Sequence, residues 1–146
     1  MSGIELVNCH THTIFSDGAS TLEENMEAAL AAGITTIACT DHWGKPKFVD
    51  YSIKTKELPK YLSSIVELRS KYPSLEIVSG LEADWYPGCE ADLRAIRADL
   101  NSKKDYHPTF LLGSIHFLQE KPLDWDEHME IWDELGANAL WCFYEK

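Results

Sequence analysis

The chain has 146 residues, 45% hydrophobic and 25% charged, which is the balance of one soluble globular domain and too short for two of ordinary size. Thirteen Lys and Arg against twenty-four Asp and Glu leave a formal charge of -11, which argues against a nucleic-acid partner held by cationic contacts. No apolar run approaches the ~20 residues of a membrane span, and the N-terminus has no basic start followed by an apolar stretch, so a cytoplasmic protein with no membrane partner is expected. Cys9, Cys39, Cys89 and Cys142 show no C-x-x-C spacing and read as reduced thiols.

Taken in chain order, the apolar pattern alternates between short β-rich runs and longer helical ones. Ile4 to Cys9 is a compact strand-like run. Ser20-Thr21-Leu22-Glu23-Glu24 supplies an N-cap with a Glu three residues on, ahead of a helix closed by Gly33. Ile34 to Thr40 is β-branched and short, as a buried strand is, and Leu58, Leu62, Ile65, Val66 and Leu68 recur at helical spacing until Tyr72-Pro73. Leu75 to Leu81 and a helical Ala91 to Leu100 make a third unit. Thr109 to Gly113 and a helix from Asp126 to Leu135 make a fourth. Four consecutive βα units predict an α/β fold with a parallel sheet and right-handed crossovers.

In parallel α/β folds, chemistry sits beyond the carboxyl ends of the strands. The residues expected there are His10-Thr11-His12 with Ser16-Asp17-Gly18, then Asp41-His42, then Glu82-Ala83-Asp84, then Ser114-Ile115-His116. Four of the six histidines therefore fall at that end, while His107 lies at the wrong end and His128 on a predicted acidic helix, both read as surface residues. His10 and His12 alternate on extended chain, so both imidazoles face one side and can share an ion. Asp41 beside His42 can orient its ring or bond the backbone, and Glu82 can approach two ions at once, with Asp84 supporting it. Mixed His and carboxylate ligation suits Zn, Mn or Fe. Such ions lower the pKa of bound water toward ~7 and clamp an anionic transition state, which points to a metallohydrolase acting on a phosphate ester.

Cys9-His10-Thr11-His12 with Phe15-Ser16-Asp17-Gly18, Cys39-Thr40-Asp41-His42, Gly80-Leu81-Glu82-Ala83-Asp84 and Gly113-Ser114-Ile115-His116-Phe117 together resemble the PHP superfamily. Within it they look like the histidinol-phosphate phosphatases. The resemblance implies a distorted βα barrel with two or three Zn, Mn or Fe ions that hydrolyses L-histidinol phosphate to L-histidinol in histidine biosynthesis through a metal-bound hydroxide. It implies that His10, His12 and Glu82 hold one metal, that Glu82 bridges to a second held by His116, and that Asp17 and His42 face a third. Glu82, His116 and His42 are then the expected catalytic set. Lys45 is an expected phosphate contact, and Trp43, with Trp85 and Tyr86, an expected pocket wall.

A full barrel of this type needs on the order of 250 residues. Residues 1–146 are thus expected to form a single domain equal to about the first half of the barrel, truncated at its C-terminus, where Ala139 to Tyr144 is apolar and stops without a capping signal. Later ligands of the family, a further His and an Asp-x-His pair, fall beyond the chain. An open parallel sheet leaves unpaired edges, so either self-association as a homo-oligomer is expected to cover them or the chain is a fragment of a longer gene product, with a small phosphorylated metabolite as the other partner. Three alternatives stay open: a non-catalytic metal-binding domain, a phosphoesterase with another substrate, and a deaminase, which the Thr-Asp-His and Gly-Ser-Ile-His stretches fit poorly.

Overall fold

The computed structural model describes residues 5–44, 50–125 and 129–144. Ile4 and Asp126, the expected first residues of the first strand and the last helix, lie outside the described residues. In order, the elements are β1 (Val7–Asn8), α1 (Leu22–Ala31), β2 (Thr36–Cys39), β3 (His42–Trp43), α2 (Leu58–Lys71), β4 (Glu76–Asp84), α3 (Glu90–Ser102), a short 3-10 turn (Lys104–Tyr106), β5 (Thr109–Ser114), β6 (Phe117–Leu118), β7 (Lys121–Pro122) and α4 (Glu130–Tyr144).

The five strands β1 to β5 make one parallel sheet with β4 at its centre. On one edge of β4, Thr36 pairs with Glu76 and His42 pairs with Glu82. The register is the same for both, so β2 and β3 are one line of chain interrupted at Thr40-Asp41. On the other edge, β5 runs from Ser79–Thr109 to Asp84–Ser114. Neighbours on both sides explain why β4 continues past the expected end at Leu81: Glu82, Ala83 and Asp84 are strand residues, not loop residues, because the ladder carries them.

Period-two alternation divides the sheet. Ile37, Ile77 and Leu81 point into a core shared with Leu22 and Met26 of α1, with Tyr61, Leu62 and Ile65 of α2, and with Ile96 and Leu100 of α3. Glu82 and Asp84 point to the opposite face. The capping box at the start of α1 is complete: the Glu24 backbone N–H donates to Thr21 Oγ1, and the Thr21 backbone N–H donates to Glu24 Oε2 at 2.7 Å.

The fourth unit departs from expectation. A hairpin of β6 and β7 stands between β5 and the last helix, turned at Gln119 (φ 52°) and Glu120 (φ 64°). Positive φ at both central residues is the primed turn whose twist matches the strands, and without Asn-Gly or Gly it leaves no sequence signal. The last helix runs on to Tyr144 instead of stopping at Leu135, broken at Gly136, whose φ of 73° and ψ of 157° no helix accommodates.

Candidate metal centre

The segment bearing His10 and His12 leaves β1 and is fastened to the end of β2. Thr11 N–H donates to Thr40 Oγ1 at 2.9 Å, Thr11 Oγ1 donates to Ala38 O at 2.7 Å, and Thr40 N–H donates to Thr11 O at 3.0 Å. Asp41 is fully buried, and its Oδ1 accepts from Thr13 N–H at 2.7 Å, Thr13 Oγ1 at 2.9 Å and Ser16 Oγ at 2.7 Å. Of the two roles expected for Asp41, the carboxylate therefore fills the backbone one: it anchors the loop and leaves the His42 ring alone. Gly18 closes the same loop against the backbone of His12 and Thr13, where a Cβ would sit 2.6 Å from His12 C and Thr13 N.

Six side chains meet beyond this loop. Glu82 is 3% exposed, and its Oε2 lies 3.0 Å from His10 Nε2, 3.0 Å from His12 Nε2 and 3.1 Å from His42 Nδ1, while its Oε1 lies 3.5 Å from His116 Nε2. His10 Nε2 and His12 Nε2 are 2.9 Å apart. Asp17 stands on the far side of His12, with Oδ1 2.8 Å from His12 Nδ1 and Oδ2 3.5 Å from His42 Nε2. Asp84 Oδ1 accepts from His116 Nδ1, and its Oδ2 accepts from Tyr51 Oη. Among the described residues, three sets could each hold a cation with ligand atoms within 4.8 Å of one another: His10, His12 and Glu82; His12, Asp17 and His42; and His42, Asp84 and His116.

Charge is distributed to match. Burial works against the Glu82 carboxylate, yet a hydrogen bond from His12, the charge of His42, a hydrogen bond from His10 and the charge of His116 push its pKa down to about 2. Burial likewise opposes charge on His12, but the carboxylates of Glu82 and Asp17 outweigh it and raise that ring. His116 behaves the same way, burial being outweighed mainly by Asp84. For His42 burial prevails over Glu82 and lowers the pKa.

The residues present fit divalent ions. His42 Nδ1 is a buried ring nitrogen with no hydrogen-bond partner among the described residues, although Glu82 Oε2 is only 3.1 Å away. A buried polar atom without a partner is costly, and a cation at that point would satisfy it together with the converging Glu82 carboxylate. Four imidazoles with Asp17 and Glu82 form the nitrogen and oxygen set preferred by Zn, Mn and Fe.

The six expected ligands, His10, His12, Asp17, His42, Glu82 and His116, thus lie together. Trp43 does not join them: it pairs with Ala83, one residue out of step with Glu82, and packs against the core. It lines a 660 Å³ groove with Lys54, Asp84, Tyr86 and Leu93. Lys45 and His128 lie outside the described residues. His107 lends its carbonyl to Arg69 at the opposite end of β5. Tyr51, and Asp124 with Oδ2 3.8 Å from His116 Nε2, were not expected. Both sit in segments without periodicity or a metal-ligand motif, so no sequence signal marks them. All four cysteines are free, and burial pushes the Cys39 thiol up to about 12.

Residues 8–142 match the family model described as the PHP domain. A protein of Deinococcus radiodurans named "Probable histidinol-phosphatase" is 29% identical over 143 residues, covering 95% of this chain and 53% of its own length. Among solved structures, a Listeria monocytogenes protein described as a candidate histidinol phosphatase superposes with a TM-score of 0.68 at 21% identity, over 82% of this chain and 50% of that one. The histidinol phosphate phosphatase of Lactococcus lactis, in complex with zinc, L-histidinol and phosphate, superposes with a TM-score of 0.65 at 22% identity, over 82% of this chain and 43% of that one. The chain spans about half the length of the curated relative it matches. The solved structures establish the fold, an α/β half-barrel of parallel strands.

Proposed function

The chain belongs to the PHP domain family, and on that premise we propose that it is a metal-dependent phosphomonoester hydrolase whose substrate is L-histidinol phosphate. The observation that carries this reading is the Glu82 carboxylate, with His10, His12 and His42 at one oxygen and His116 at the other. A carboxylate placed in this way would serve ions held on either side of it. The name of the Deinococcus relative and the zinc, L-histidinol and phosphate bound to the Lactococcus structure support the substrate.

His10, His12 and Glu82 would hold one ion, Glu82 with His116 a second, and Asp17 with His42 a third. When bound, such ions supply Lewis acidity toward phosphoryl oxygens and water. The chain supplies the rest. Glu82 stays ionised down to about pH 2 and so presents fixed negative charge to the cations. Buried Asp41 holds the His10–Asp17 loop in register with β4, so the imidazoles are placed before any ligand arrives. Asp84 holds the His116 ring.

The test is release of inorganic phosphate from L-histidinol phosphate by the chain loaded with Zn, Mn or Fe, with Glu82→Gln as the control. Turnover that Glu82→Gln abolishes is the expected result. Metal bound without hydrolysis of any phosphomonoester overturns it in favour of a second reading, a metal-binding domain without turnover, which the 53% coverage of the relative favours. Hydrolysis of other phosphomonoesters but not this one keeps the reaction and replaces the substrate.

A further inference from the structure

Tyr51 belongs to none of the family motifs, yet it is wedged into the metal cluster. Its ring stands edge-on to His42 at 4.6 Å between centroids and lies parallel to Phe117 at 6.3 Å and 8°. The segment carrying it is tied to β3 and the residue after it: Ile53 N–H donates to His42 O at 2.8 Å, and Ser52 Oγ donates to Gly44 O at 3.1 Å. From that position Tyr51 Oη donates to Asp84 Oδ2.

An ionised carboxylate only accepts hydrogen bonds, so each oxygen of Asp84 dictates what faces it. With Oδ2 taken by the Tyr51 hydroxyl, Oδ1 takes the proton on His116 Nδ1. That places the lone pair of the neutral His116 ring on Nε2, which faces the Ser114 hydroxyl at 3.1 Å and Glu82 Oε1 at 3.5 Å. Asp84 is 2% exposed, so both of its oxygens are satisfied inside the protein.

We propose that Tyr51 is a positioning residue: by fixing Asp84, it selects the Nδ1–H tautomer of His116 and so aims Nε2 at the shared cation site beside Glu82. This rests on the reading of that cluster as a metal site but not on the identity of the substrate. Carboxylates that orient a ligating histidine change metal affinity by roughly ten- to a hundredfold when removed, and Tyr51 acts one step further out.

The experiment measures the ring nitrogens of His116 by 15N NMR in the metal-free full chain, at a pH where the ring is neutral, alongside zinc affinity by titration with zinc alone. The wild-type chain is expected to show a protonated Nδ1 and a bare Nε2, the reverse of the usual preference of free histidine, and this needs no variant. Tyr51→Phe, which keeps the ring stacking, is expected to shift His116 toward Nε2–H and to weaken zinc binding about tenfold, with Asp84→Asn doing the same more strongly. A wild-type ring protonated on Nε2 overturns the proposal. So does Tyr51→Phe with an unchanged tautomer, whatever its zinc affinity. If the tautomer behaves as stated and histidinol phosphate is not hydrolysed, the substrate assignment fails and the role of Tyr51 stands.

Discussion

Asp41 Oδ1 accepts the backbone N–H of Thr13 at 2.7 Å, joining the end of the β2 line to the loop that carries three of the six candidate ligands. The bond spans 28 residues of sequence and is fully buried. The same oxygen takes the hydroxyls of Thr13 and Ser16, so one carboxylate sets the position of His12 and Asp17 relative to Glu82.

Asp41→Ala strands one backbone and two hydroxyl donors in a dry site. A cost of about 3 kcal/mol is expected, since each buried donor left unsatisfied costs about 1–3 kcal/mol and some relaxation follows. Urea denaturation of the metal-free chain measures it, and zinc affinity should fall with it because the loop no longer holds its ligands. A variant as stable as the parent would show that the loop is anchored elsewhere.

Gly18→Ala forces a methyl to within 2.6 Å of the His12 and Thr13 backbone, which no side-chain rotation relieves. The loop must move, and a loss of about 2 kcal/mol or more with weakened zinc binding is expected. Gly33→Ala, by contrast, meets no atom within 4 Å and costs only what its φ of 74° imposes, with zinc affinity unchanged.

Arg69 separates scaffold from site. From α2 its guanidinium donates to the carbonyls of Ile77 at 2.8 Å, His107 at 2.7 Å and Tyr106 at 2.9 Å, and to Ser79 Oγ at 2.8 Å. A lysine cannot reproduce this planar fork. Arg69→Lys is expected to lower stability by about 2–3 kcal/mol and to leave zinc affinity of the folded chain intact, as titration at low temperature would show.

The pH dependence follows from Glu82. Its folded pKa of about 2 lies below the unfolded value of 4.5, so between these the unfolded chain binds more protons. The contribution of Glu82 is therefore complete above pH 4.5 and lost as pH falls toward 2. The denaturation midpoint of the metal-free chain should drop across that window, and Glu82→Gln should flatten the drop. An unchanged slope in the variant would place the acid sensitivity in other groups.

Much of the fold was legible because its signals are local. The Thr21–Glu24 capping box, the β-branched run from Ile34 to Thr40 and the helical spacing from Leu58 to Leu68 each report their own backbone. The hairpin turned at Gln119-Glu120 carries no such signal, since its residues adopt positive φ without the glycine or asparagine that would announce it. The extension of β4 through Asp84 was hidden for another reason: strand continuation there depends on partners 40 positions upstream and 30 downstream in the register, which no window of sequence contains.

For the site, residue type and expected strand ends marked His10, His12, Asp17, His42, Glu82 and His116 as candidates, because ligand chemistry restricts which side chains can serve, and the fold brings these side chains together. What they do to one another is a matter of distance. That Asp41 anchors a loop rather than a ring, that Trp43 turns into the core, and that Tyr51 reaches Asp84 were decided by tertiary structure alone. Hydrogen bonds and burial act over about 3 Å, and the chain brings those atoms together only after the sheet has set its register.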